Sequence, residues 1–183
     1  MASFVQRMVG AAKLESAIYE EVEADKHATG QAMGVVILSA FAAGIGAAGA
    51  GGRGVFIGLL GALIGWYLWA LLTWIIGTKF LPEPQTEADL GQLLRTIGFA
   101  SSPGLIRVFG WIPVLGWAVQ AAAWIWMLAA TVVAVRQALD YSNTSRAILV
   151  CLIGWFVNLL VAVWTFAFLG FAVLGLRGLT GNY

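Results

Sequence analysis

The sequence predicts an all-α fold: a polytopic transmembrane helical bundle of five spans, with amphipathic interfacial helices at the N-terminus and in mid-chain. Three observations predict it. The 183 residues are 61% hydrophobic and only 10% charged, against about 25% charged in soluble domains. Apolar stretches of membrane length recur along the chain, and the charged segments between them can share one membrane face. At this length one membrane domain, 31–183, follows a cytoplasmic amphipathic tail, 1–30.

A helix needs about 20 apolar residues to cross a hydrocarbon core of roughly 30 Å. The stretches 33–52, 55–77, 114–135 and 147–170 meet that length without an internal acid. The fifth stretch, 97–115, holds Pro103 and Arg107. Its nine Ile, Leu, Val and Phe residues favour insertion by ~0.3–0.6 kcal/mol each, and a central arginine opposes it by ~2.5–3.5 kcal/mol. Those terms nearly cancel, so charge placement decides. With five spans, one face collects Arg7, Lys13, Lys26, Lys79, Arg95, Arg136 and Arg146, and the other only Arg53 and Arg177. The positive-inside rule then puts the N-terminus in the cytoplasm and the C-terminus on the far side.

The N-terminal tail reads as two amphipathic helices, 2–12 and 14–27. Leu14, Ile18 and Val22 recur every four residues, with Glu15, Glu20 and Glu23 on other faces. A mid-chain interfacial helix is expected from Thr86, with Asp89 capping its first turn. Leu90, Leu93, Leu94 and Ile97 form its stripe toward the bilayer, with Gln92 and Arg95 on the wet side. Pro82 and Pro84 mark the break after the second span. Ser102-Pro103 suits a helix restart, and Ser142, Asn143 and Thr144 are cap candidates before the last span. Gly54/Gly58 and Gly61/Gly65 are small pairs four apart; they read as packing positions between the first two spans, with homo-oligomerisation as the other reading. Gly44, Gly46 and Gly49 satisfy G-x-G-x-x-G, but within a transmembrane helix, where the nucleotide reading lacks its preceding strand.

Reactive constellations are scarce. Net charge is +1 and the seven arginines are scattered, so no nucleic-acid partner is indicated. Glu20, Glu21 and Glu23 form a charge cluster that reads as a solvated helix face or a docking surface. One histidine, His27, excludes the paired Glu-x-x-His sets of a di-iron bundle. Neither metal nor cofactor is expected: the Trp residues read as headgroup-boundary anchors, and a haem would need an axial ligand. Cys151 has no histidine beside it to act as base, so no catalytic residues are assigned. Arg107 is the one ionisable group placed inside a span. Such groups default to a functional reading; the alternative is a short, kinked helix that lets Arg107 snorkel to lipid phosphate. Asp140 and Glu87 are the boundary acids that could reach it, and Asn158 is a polar amide at similar depth.

The chain resembles the Yip (Ypt-interacting-protein) domain family. The resemblance runs through YEEVEADKHATGQAM, LLRTIGFASSPGLIRVF and WMLAATVVAVRQALDYSNTSRAI. It implies five helices with a cytoplasmic N-terminus and a far-side C-terminus. Eukaryotic members act in vesicle trafficking with Rab GTPases and carry an Asp-Leu-Tyr-Gly-Pro element. Here the nearest point reads GFASSPG, sharing Pro103 and Gly104. For bacterial members the resemblance implies a fold without an agreed activity.

The expected function is therefore a non-enzymatic membrane scaffold in a bacterial cytoplasmic membrane. It would bind membrane lipids or other membrane proteins at its cytoplasmic face. The alternatives are an accessory subunit of a larger bioenergetic complex, and a small transporter or channel using Arg107 and Asn158.

Overall fold

The computed structural model describes residues 2–47 and 52–180, with side chains at 2–47, 56–161, 163 and 164. The described residues are mostly helical, with no strand among them. Helices α1 (Phe4–Ala12) and α2 (Ser16–Ala24) form the N-terminal layer. Ser3 starts α1 with a capping box: its Oγ accepts from the Gln6 amide, while the Gln6 side chain accepts from the Ser3 amide. Helix α3 spans Ala28–Gly46. Helix α4 (Gly52–Ile75) ends in a π-helical turn, Ile76–Phe80, just before Pro82. Helix α5 is Leu90–Phe99, followed by a 3₁₀ segment, Ser102–Trp111. Helices α6 (Gly116–Ala138) and α7 (Thr144–Thr180) complete the chain.

Four described stretches are long and apolar enough to cross a membrane: Ala28–Gly46, Phe56–Phe80, Gly116–Ala138 and Thr144–Val161. The stretch 97–115, expected as a span, is built from the end of α5 and the 3₁₀ segment rather than from one α-helix. Pro103 has no amide hydrogen and its ring blocks the preceding turn, so an α-helix cannot run through it. The chain restarts with the Gly104 amide bonded to the Ser101 carbonyl. At ~2.0 Å rise per residue the 3₁₀ segment reaches only ~20 Å. The mid-chain helix begins at Leu90 and not Thr86. Asp89 is its N-cap, paired reciprocally with Gln92, while the Thr86 hydroxyl bonds the Leu139 carbonyl.

The broken segment climbs beside α3 in the same direction. Gly98 abuts Ala32, Gly104 abuts Ser39, and Gly110 abuts Gly46. With three residues per turn, Gly104, Arg107 and Gly110 fall in single file on the face toward α3. Gly46 lies so close to the Arg107 carbonyl that a Cβ there would overlap it. Helix α6 then returns to the end that carries α1 and α2, where the Gln137 side chain meets Glu20. At that end the Tyr141 hydroxyl donates to the Gly77 and Leu81 carbonyls. Glu83 accepts from Ser142 and pairs with Arg146, tying the loop after α4 to the start of α7.

Both core clusters lie toward this end. One joins Ala70, Leu93, Val135, Leu139 and Val150, and the other Tyr19, Val22, Val35, Phe99 and Ala134. Elsewhere the spans are bare: only 17–33% of each membrane-length stretch is buried. Exposed Ile57, Leu68, Ile125, Leu152, Phe156 and Trp164 form far more apolar surface than water tolerates, so hydrocarbon is the solvent for these helices. Among the described residues, a Cβ built at Gly58, Gly61 or Gly65 meets nothing within 4 Å. Among the described residues these glycines make no close contact between the first two spans, and the surroundings of Gly54 lie outside the described residues. The close approaches are made instead by Gly46, Gly98 and Gly104, where α3 meets the broken segment.

Candidate functional site

Arg107, on the 3₁₀ segment, lines a half-open cavity of about 360 Å³ between the helices. Ser39, Trp66, Trp69, Met127, Trp155 and Asn158 are among its walls. The guanidinium is held by neutral acceptors. Its Nε donates to the Gly104 carbonyl at 3.1 Å, and Nη2 donates to the Ser39 carbonyl at 3.2 Å and to Ser39 Oγ at 2.8 Å. Gly104 permits this seat, because a Cβ on it would strike Ser39 Oγ. Pro103, buried beside it, sets the 3₁₀ register that points Arg107 at α3.

Sequence reasoning paired Arg107 with Asn158, and the structure puts both on one cavity. It did not find Ser39, the residue that orients the guanidinium. The signal was the period-three run Gly104–Arg107–Gly110, which a search for 3.6-residue spacing passes over. Asp140 does not approach Arg107. It sits in the α6–α7 turn with φ 51°, and its carbonyl accepts from Gln85. Among the described residues Arg107 makes no ion pair, and no acid lines its cavity. The Trp residues are not simply boundary anchors. Trp66, Trp74 and Trp126 donate their indole N–H to the Leu94, Ala88 and Ala12 carbonyls, joining the spans to α5 and α1.

A second polar centre binds the N-terminal layer to the bundle. Arg7 is 2% exposed although α1 is short and at the chain's edge. Its Nη2 contacts Glu21 and Asp25, each at 2.9 Å, Nε donates to Glu21, and Nη1 donates to Gln31 of α3. Hydrogen bonds from Arg7 hold the Glu21 and Asp25 carboxyls below the usual carboxylate range. Arg95, expected on the wet side, is also buried. Its Nε donates to the Val22 and Glu23 carbonyls, capping the free C-terminal carbonyls of α2.

The acidic cluster is thus divided by its partners. Glu21 serves Arg7, and Glu20 accepts from Gln137 at 2.7 Å. Glu23 accepts from Gln92 at 3.0 Å. Burial, reinforced by the nearby Asp140 charge, pushes Glu23 up to about 7. These are structural contacts between helices rather than a freely solvated face. Among the described residues, no group of His, Cys, Asp and Glu could hold a metal ion.

The fold and these two centres define a class: a polytopic α-helical membrane protein whose polar groups bind its helices together. A model of the Yip1 domain matches residues 16–176, which is most of the chain. The protein belongs to the Yip1 domain family. No curated protein and no solved structure matches it.

Proposed function

We propose that this protein is a non-enzymatic membrane scaffold of the Yip type, resident in a bacterial cytoplasmic membrane. Its chain crosses the bilayer five times, the third crossing made by α5 and the 3₁₀ segment together. The parallel path of that segment beside α3, from Ala32 to Gly46, supports this count. The cationic side chains of the end bearing α1 and α2 make it the cytoplasmic face.

The observation that carries the scaffold reading is the fixed N-terminal layer. A tail of about 30 residues would be disordered if nothing held it, yet Arg7 and Arg95 lock it against α3 and α5. Locking buries the charged face of α1 and turns Val5 and Val9 outward, at 64% and 48% exposed. Beside them Lys13 and Glu15 make a loose exposed pair. A short apolar stripe edged by charge, on a rigid support, suits recognition of a membrane-bound protein partner.

The test is site-specific photocrosslinking in cells from positions 5 and 9, with position 156 on the lipid-facing side of α7 as reference. A discrete protein adduct from positions 5 and 9, lost in Val9→Asp, is the expected result. Adducts to lipid alone at all three positions would overturn the scaffold reading. Adducts to several subunits of one large assembly, co-migrating at fixed stoichiometry on a native gel, would replace it with the accessory-subunit role.

A further inference from the structure

We propose that the Arg107 cavity binds the anionic head of a membrane amphiphile, a phosphate or a carboxylate, with its hydrocarbon tail lying between α4 and α7. The case begins with charge. A guanidinium in a low-dielectric bundle is costly unless an anion or a full set of acceptors compensates it. The acceptors on Arg107 are neutral, no acid lines the cavity, and Nη1 has no acceptor among the described residues. Arg107 lines the cavity, and a planar guanidinium with a free donor is suited to an oxyanion.

The same cavity is lined by the exposed Asn158 of α7, whose side chain makes no hydrogen bond to the described residues. Its amide N–H is a second donor for the same anion. Thr131, also on the wall, is already committed to the Met127 carbonyl. Two donors from different helices therefore line one pocket whose other walls are largely tryptophan and aliphatic side chains.

The tail follows from a second cavity of about 300 Å³ between α4 and α7. It shares Gly65, Trp69 and Asn158 with the first, and its remaining walls are apolar, including Leu68, Leu72, Ile75 and Val157. Gly65 sits at the junction, and a Cβ there meets nothing within 4 Å among the described residues. A charged end beside Arg107, a junction at Gly65 and an apolar groove beyond it match an anion that carries a hydrocarbon tail. An inorganic anion would use only the first half.

The experiment is native mass spectrometry and equilibrium binding on the full-length protein in a neutral detergent. The probes are dioleoyl phosphatidate, oleate, dioleoyl phosphatidylcholine, uncharged dioleoylglycerol and inorganic phosphate. One equivalent of phosphatidate or of oleate is expected, and which of the two binds more tightly names the source of the anion. Arg107→Gln should weaken that binding by about tenfold or more, the loss expected for one charge-assisted pair. Asn158→Leu should weaken it several-fold, and Gly65→Phe should block it while leaving Arg107 in place. Gly65→Phe carries the test alone if Arg107→Gln does not fold. Equal binding by the wild type, Arg107→Gln and Gly65→Phe would overturn the proposal. So would inorganic phosphate competing as well as the amphiphiles, or dioleoylglycerol binding as tightly as phosphatidate.

Discussion

Replacing Arg7 with leucine removes four contacts at once: two to Glu21, one to Asp25 and one to Gln31. Breaking a buried charge pair by removing one partner costs ~3–5 kcal/mol. Two effects reduce that figure here. Glu21 keeps 28% of its side-chain surface in solvent, so water re-solvates part of its charge. The new leucine also fills a site that is 2% exposed in the native chain, returning ~1.5–3 kcal/mol of apolar burial. The net loss is about 2 kcal/mol, or ~4–8 °C in unfolding midpoint for a chain of this size. Intrinsic tryptophan fluorescence in detergent reads the midpoint. Hydrogen exchange reads where the protein opens, and the α1 amides should lose protection while those of α6 keep it. Arg7→Lys should recover only part of the loss, because a single ammonium cannot replace the fork that reaches Glu21, Asp25 and Gln31 together. Unchanged exchange in α1, with a midpoint shift under ~2 °C, would show that Arg7 does not hold the layer and remove the support for a rigid scaffold face.

Two further outcomes follow from contacts at the same end and along α3. Glu23, pushed up to about 7, is an acid with a raised folded-state value. Its stabilising effect is fully present below the ordinary carboxylate range and is lost as pH rises toward 7. Glu21, Asp25 and Glu83 are lowered, the first two by Arg7 and the last by Ser142. Their contribution is present above the ordinary range and is lost as pH falls below it. Stability should therefore peak near pH ~5, and Glu23→Gln should flatten the decline between there and neutrality. A pH–midpoint series on both proteins checks this; the same neutral-side slope in both would remove Glu23 as its source. Gly46→Ala sets helix propensity against space. Alanine gains at most ~1 kcal/mol over glycine in a helix interior and less at a helix end, whereas overpacking rigid backbone costs ~1–3 kcal/mol. The added Cβ would meet the Arg107 carbonyl and lie 3.2 Å from the Gly110 amide nitrogen. A midpoint lower by several degrees is expected in the same assay, and a rise would show that α3 and the 3₁₀ segment are not in close contact.

The membrane character, the four long apolar helices and the break after Phe80 were legible in the sequence alone. They depend on local quantities: run length, charge spacing, and the inability of proline to continue a helix. The similar depth of Arg107 and Asn158 was also legible, because so few polar groups sit in the apolar stretches; they line one cavity, with no hydrogen bond between them. Tertiary structure decided what local patterns do not encode. Arg95 faces inward because the bare C-terminal carbonyls of α2 lie against α5, a contact separated by about 70 residues of chain. Gly46 and Gly104 carry the close approaches, while Gly58 and Gly61 meet no neighbour among the described residues, because the neighbour of a glycine depends on how helices cross and not on its spacing. Ser39 is unremarkable along α3 and becomes the anchor of Arg107 only where a 3₁₀ segment, three residues per turn, brings Gly104 against it. Composition and run length identified the solvent and the long helices; the packing of α3 against the broken segment decided where the charges went.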